Sequence, residues 1–67
     1  MTPQRLRTVL TRLRTERELT KRDLAKRAKV TEAYVSQLES GVRRNPSLPV
    51  LKRLARALGV PVAKLLA

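Results

Sequence analysis

Leu6, Val9, Leu10 and Leu13 recur at the i, i+3, i+4 and i+7 spacing of a single helix face. Thr2 followed by Pro3 gives that segment a start, with a capping hydroxyl and then a ring whose φ is preset for the first helical position. Arg5, Arg7, Arg12 and Arg17 fall mostly off the apolar face, and the helix is expected to end near Arg17 or Glu18. The pattern then restarts. Thr20 caps a second segment, with Asp23 three residues on in a variant of the capping box. Leu24, Ala25 and Ala28 point inward there, and the small Ala25 lets another helix approach closely. Lys29-Val30 forms a turn. Thr31 caps a third segment, which spans 31–40 with Val35 and Leu38 inward, and Gly41 supplies a left-handed stop.

Val42 to Ser47 (VRRNPS) shows no periodicity and reads as a loop. Ser47 caps a fourth helix with Pro49 in its first turn. Leu51, Leu54, Ala55 and Leu58 form its apolar stripe and Gly59 ends it. Pro61 opens a last short helix in which Val62, Leu65 and Leu66 are apolar. No strand alternation, internal repeat or low-complexity stretch interrupts this series. The pattern predicts an all-α, compact five-helix fold, with residues 1–67 forming a single domain.

Length sharpens this only a little. A chain of 67 residues is one domain and buries roughly 60% of the surface its unfolded form exposes, so its stability is expected to be modest. Composition does more. With no cysteine there is no disulfide and no thiolate metal site. The absence of histidine removes the usual general base and the usual metal ligand. There is no nucleophile motif and no phosphate-cradling glycine loop. The reading is a non-enzyme without metal or cofactor.

Sixteen Lys and Arg against five Asp and Glu give a formal charge of +11, a field that favours polyanions. Nucleic acid and an anionic membrane surface are the two candidates. No apolar run approaches the ~20 residues of a membrane span, and no signal peptide is visible. A cytoplasmic, nucleoid-associated protein is expected. Tyr34 is the only aromatic residue, so the stacking platforms used by single-strand binders are missing and duplex DNA is favoured.

The segment from 20 to 41, TKRDLAKRAKVTEAYVSQLESG, resembles the helix-turn-helix of the lambda-repressor-like family, the phage repressor, Cro and XRE type. Leu24-Ala25, Val30, Val35 and Leu38 match its core positions, and Glu39 and Gly41 match the end of its recognition helix. NPSLPVLKRLARALGV is similar to its fourth helix, so the resemblance runs from about Leu6 to Leu66. Three positions depart from the family. Lys29 stands where glycine is usual, and a left-handed lysine costs on the order of 1 kcal/mol. Lys21 stands where glutamine is frequent, and Pro49 where an acidic residue is common.

The resemblance implies a sequence-specific, double-stranded DNA-binding regulator, most simply a repressor on a pseudo-palindromic operator. It places Glu32, Ala33, Ser36 and Gln37 against base edges in the major groove. Gln37 suits adenine or guanine, Glu32 the cytosine amino group and Ala33 a thymine methyl. Without the resemblance, the same face reads as the solvated side of a structural helix. A carboxylate near phosphates needs a donor, and Lys21 is the candidate partner for Glu32. The resemblance lays the Arg43, Arg44 and Asn45 loop along the backbone. Lys21 is assigned to phosphate with it, as are the caps Thr20 and Thr31, whose helix ends favour anions. Tyr34 is either a phosphate contact at the groove wall or a surface tyrosine packed against the loop.

By the same resemblance, Arg14 and Glu39 form a structural ion pair that pins the third helix to the first; the alternative is an exposed pair worth under about 1 kcal/mol. Leu58, Pro61, Val62 and Leu66 either close the core or make a two-fold contact in a homodimer on DNA. Two further functions stand beside repression. One is an antitoxin or accessory protein that autoregulates its operon and binds a protein partner. The other is membrane-surface binding through the first helix, which the capped second and third helices and the lack of Trp or Phe anchors oppose.

Overall fold

The computed structural model describes residues 3–43 and 45–66. Thr2 and Arg44 therefore lie outside the described residues. The helices are α1 (Pro3–Glu16), α2 (Lys21–Ala28), α3 (Glu32–Ser40), α4 (Leu48–Leu58) and α5 (Ala63–Leu66), with no strand among the described residues.

The starts follow the side-chain chemistry. Thr20 accepts from the Asp23 amide at 3.0 Å, and Asp23 Oδ2 accepts from the Thr20 amide at 3.1 Å, so the capping box is closed in both directions. Hydrogen bonding to its carboxylate, from the Thr20 backbone amide first and the Thr20 side chain second, holds the Asp23 carboxyl below its ordinary pKa, helped by the nearby charges of Arg27 and Arg22. Thr31 accepts from the Tyr34 amide at 3.0 Å, and Ser47 accepts from the Val50 amide at 3.4 Å.

The ends share one device. Glu18, Lys29 and Gly59 each adopt positive φ just beyond a helix. After α2, Lys29 N donates to Lys26 O and Val30 N to Ala25 O. After α4, Gly59 N donates to Arg56 O and Val60 N to Ala55 O; after α1, Glu18 N donates to Thr15 O and Leu19 N to Arg14 O. This pair of reversed bonds satisfies the last carbonyls, and the next residue folds back apolar onto the core. Leu19 is buried, and Val30 and Val60 pack against the core. The left-handed Glu18 also explains why α1 stops at Glu16, slightly short of the expected end. Likewise α5 begins at Ala63; Pro61 only supplies the carbonyl that receives Lys64 N at 3.0 Å.

The core contains Leu6, Leu10 and Leu13 of α1, Leu24, Ala25 and Ala28 of α2, and Val35 and Leu38 of α3. Leu51, Leu54, Ala55 and Leu58 of α4 and Leu65 of α5 complete it, with Leu19 of the link. Helix α2 packs against both α3 and α4, while α1 packs against α3 and α5. Three arginines tie helices together. Arg7 Nη1 donates to Ser40 O at 3.4 Å, Arg53 Nε to Ala28 O at 3.0 Å, and Arg14 engages Glu39. Among the described residues, no buried side-chain nitrogen or oxygen lacks a partner.

Candidate nucleic-acid interface

Helix α3 has one side in the core, through Val35 and Leu38, and one side out. Glu32 and Ala33 are exposed; Ser36 and Gln37, one turn further on, are half-buried. These four lie on two adjacent rows, 32–36 and 33–37, so they form one strip along the helix.

The angle of that strip is set from below. Arg14 Nε donates to Glu39 Oε2 at 2.6 Å and Arg14 Nη2 to Glu39 Oε1 at 3.0 Å, a bidentate pair. The side chains are only 13% and 5% exposed, so the pair is largely desolvated rather than a surface contact. Arg14 Nη1 also donates to Leu19 O at 2.7 Å, which joins the end of α1, the link to α2 and the end of α3 in one junction.

The loop after α3 returns over the helix. Gly41 has φ of 86°, and its amide donates to Leu38 O. The Arg43 amide then donates to Gln37 O at 3.0 Å and Arg43 Nε to Gln37 Oε1 at 3.2 Å. The Arg43 guanidinium lies 4.8 Å from the centroid of the Tyr34 ring. Tyr34 is thus packed against the loop. A Cβ at Gly41 would come within 2.7 Å of Arg7 Nη1, so glycine serves this turn in both conformation and space.

Of the other expected contacts, Thr20 and Thr31 are exposed caps, Lys21 is half-buried at the start of α2, and Asn45 is exposed. A hydroxyl that accepts from a helix amide still has its own hydrogen to donate outward. Glu32 and Lys21 are not joined by an ion pair, so Lys21 is not the partner expected for Glu32.

The apolar contact set needs one correction. Leu58 is 1% exposed, sealed in the core by the inward stripe of α4, and has no surface to offer a second copy. Pro61 is exposed, Val62 half-buried and Leu66 39% exposed. Leu48, at 50%, is a further exposed apolar side chain. Arg7 and Arg53 act as tethers that the sequence does not signal. Each lies over twenty residues from its acceptor, and an arginine on a helix face looks solvated until the neighbouring helix end is known.

A cleft of about 450 Å³ lies at the ends of α1, α2 and α4, lined by Arg17, Leu19, Arg27, Arg56, Ala57, Leu58 and Gly59. Its three arginines sit at or just past helix C-termini, where the helix dipole favours a cation. Among the described residues there is no group of side chains able to hold a metal ion, and no helix long and apolar enough to cross a membrane.

The helix-turn-helix family model matches residues 10–65. The chain belongs to the lambda-repressor-like helix-turn-helix family. This is a family of DNA-binding, non-enzymatic transcription regulators. A helix-turn-helix-type transcriptional regulator of Sinorhizobium fredii, itself uncharacterized, is 47% identical over 49 residues, 73% of this chain and 62% of that protein. The regulator DdrOP3 of Deinococcus deserti is 46% identical over 57 residues, 85% of this chain and 43% of that one. The chain thus spans roughly half the length of these relatives.

Among solved structures, the restriction-modification controller protein C.AhdI of Aeromonas hydrophila superimposes with a TM-score of 0.89 at 32% identity, over 94% of each chain. SinR, a master regulator for biofilm formation solved in complex with DNA, gives 0.88 at 29% identity over 92% of this chain and 98% of its own. Against the family pattern, Lys29 keeps the left-handed turn usually given to glycine, with φ of 60° and ψ of 43°.

Proposed function

We propose that this chain is a sequence-specific regulator of transcription, acting as a repressor, that binds a pseudo-palindromic duplex operator as a homodimer. Helix α3 enters the major groove, and Glu32, Ala33, Ser36 and Gln37 meet base edges. Lys21, Thr20, Thr31, Tyr34, Arg44 and Asn45 hold phosphates. The observation that carries this reading is the strip on α3. It takes no part in the core, yet it is flanked on the same helix by a desolvated ion pair, Arg14 with Glu39, that ties α3 to α1. A helix that only closed a core would not need its outer face held at a fixed angle. The charge of +11 supplies attraction to the backbone, and SinR, similar in fold, is solved in complex with DNA, which supports DNA as the partner. Pro61, Val62 and Leu66 supply the two-fold contact. The location that follows is cytoplasmic, on the nucleoid.

Selection of preferred duplexes from a random pool by the full chain tests this. The expected product is a recurring site with two inverted half-sites about 34 Å apart, one helical turn. A pool that stays random after repeated rounds contradicts it.

A further inference from the structure

Arg43 holds Gln37 by three linked contacts. Its backbone amide is on the Gln37 carbonyl, its Nε is on the Gln37 side-chain oxygen, and its guanidinium lies over the Tyr34 ring. Tyr34 and Gln37 are one turn apart on α3, so ring and amide make a single seat for the guanidinium. Only an oxygen accepts from Nε–H, which fixes which way the Gln37 amide is turned. Its NH₂, the other branch of the amide, therefore has two donors to offer. The guanidinium has five N–H groups, of which Nε–H is used, so its Nη donors add to the same patch. Hence the end of the strip presents donors, under a positive charge.

We infer that Arg43 is a specificity-determining residue, which orients Gln37 so that the pair selects guanine over adenine at the base it faces. The inference rests on the DNA-reading assignment above and deepens it. Glutamine alone suits either purine: it pairs bidentately with adenine N6 and N7, or donates to guanine. The Arg43 contact removes that ambiguity. An adenine amino group brought to the remaining lone pair of Gln37 Oε1 points its N–H bonds at a guanidinium. Guanine presents O6 and N7, both acceptors, and is drawn to the same donors. In sequence the charged loop points only to a backbone contact for Arg43, because nothing there signals that its side chain folds back onto the recognition helix.

The test is duplex selection followed by binding titrations with the full chain, its Gln37→Ala variant to mark the base that Gln37 faces, and Arg43→Ala and Arg43→Lys. The wild-type chain is expected to select guanine at the marked base, about tenfold or more over adenine, within the range of one good bidentate contact. Arg43→Ala is expected to bring that ratio close to one while preferences elsewhere in the site persist. Arg43→Lys keeps the charge but has neither Nε–H nor a planar face, so it lowers the same ratio with little change in salt slope. Adenine selected by the wild-type chain overturns the inference. So does an Arg43→Ala variant that weakens all sequences alike and flattens the salt slope by about one, the behaviour of a simple phosphate contact. In both cases the DNA-reading assignment stands. A wild-type pool with no preferred site overturns that assignment, and this inference with it.

Discussion

Lys29 shows how one residue can be at odds with its backbone and still be retained. Its φ of 60° is the left-handed well, which costs a residue with a Cβ roughly 1–2 kcal/mol. The side chain is exposed, while its amide and that of Val30 close the end of α2. Glycine removes the steric cost, but its freer unfolded chain offsets part of the gain. Lys29→Gly is therefore expected to stabilise the domain by about 0.5–1 kcal/mol, or a few degrees in Tm for this size, while Lys29→Ala gives no comparable gain. Thermal melts of the three proteins decide it, and a lower Tm for Lys29→Gly contradicts the account. Lys29 is legible in the sequence because glycine usually stands at that position in the family. Glu18 adopts the same conformation and escaped notice, since a left-handed glutamate has no sequence signature when no glycine marks the turn.

The helices themselves were legible for a physical reason. Each of α1 to α4 carries a 3.6-residue apolar stripe, and α2, α3 and α4 each begin at a hydroxyl that caps them. Ties between helices were less visible, because they join residues far apart in sequence. Arg7 to Ser40 and Arg53 to Ala28 follow from packing alone, and Arg14 with Glu39 was suggested by family resemblance rather than by spacing. That last pair has the clearest energetic consequence. Removing one partner leaves a buried charge uncompensated, at about 3–5 kcal/mol. A domain this small has little more than that to lose. Glu39→Ala is expected to be largely unfolded at 37 °C. Arg14→Met with Glu39→Leu, which removes both charges, is expected to recover most of the stability. Denaturation midpoints measure both, and a Glu39→Ala loss below about 1 kcal/mol means that the pair behaves as a surface contact.

At the scale of the whole molecule, charge and reading separate. Sixteen cations against five anions draw the chain to any duplex, and each phosphate neutralised adds about −0.9 to the log–log salt slope. That attraction carries no sequence information. Some of the cations are also structural, since Arg7, Arg14 and Arg53 are spent on joining helices. In the proposed reading, choice of site falls to the narrow strip on α3 and to the Arg43 contact at its end. The burial of Leu58 was legible, because it shares the α4 stripe of Leu51, Leu54 and Ala55; the exposure of Pro61 and Leu66 was not, because α5 is too short to carry a stripe of its own. The central claim is that base choice rests on the strip while affinity in general does not. The most direct measurement titrates wild-type and Gln37→Ala chains against the selected operator and against random duplex at one salt concentration. The account predicts a loss of about 1–3 kcal/mol on the operator and almost none on random duplex. Equal losses on the two would contradict it.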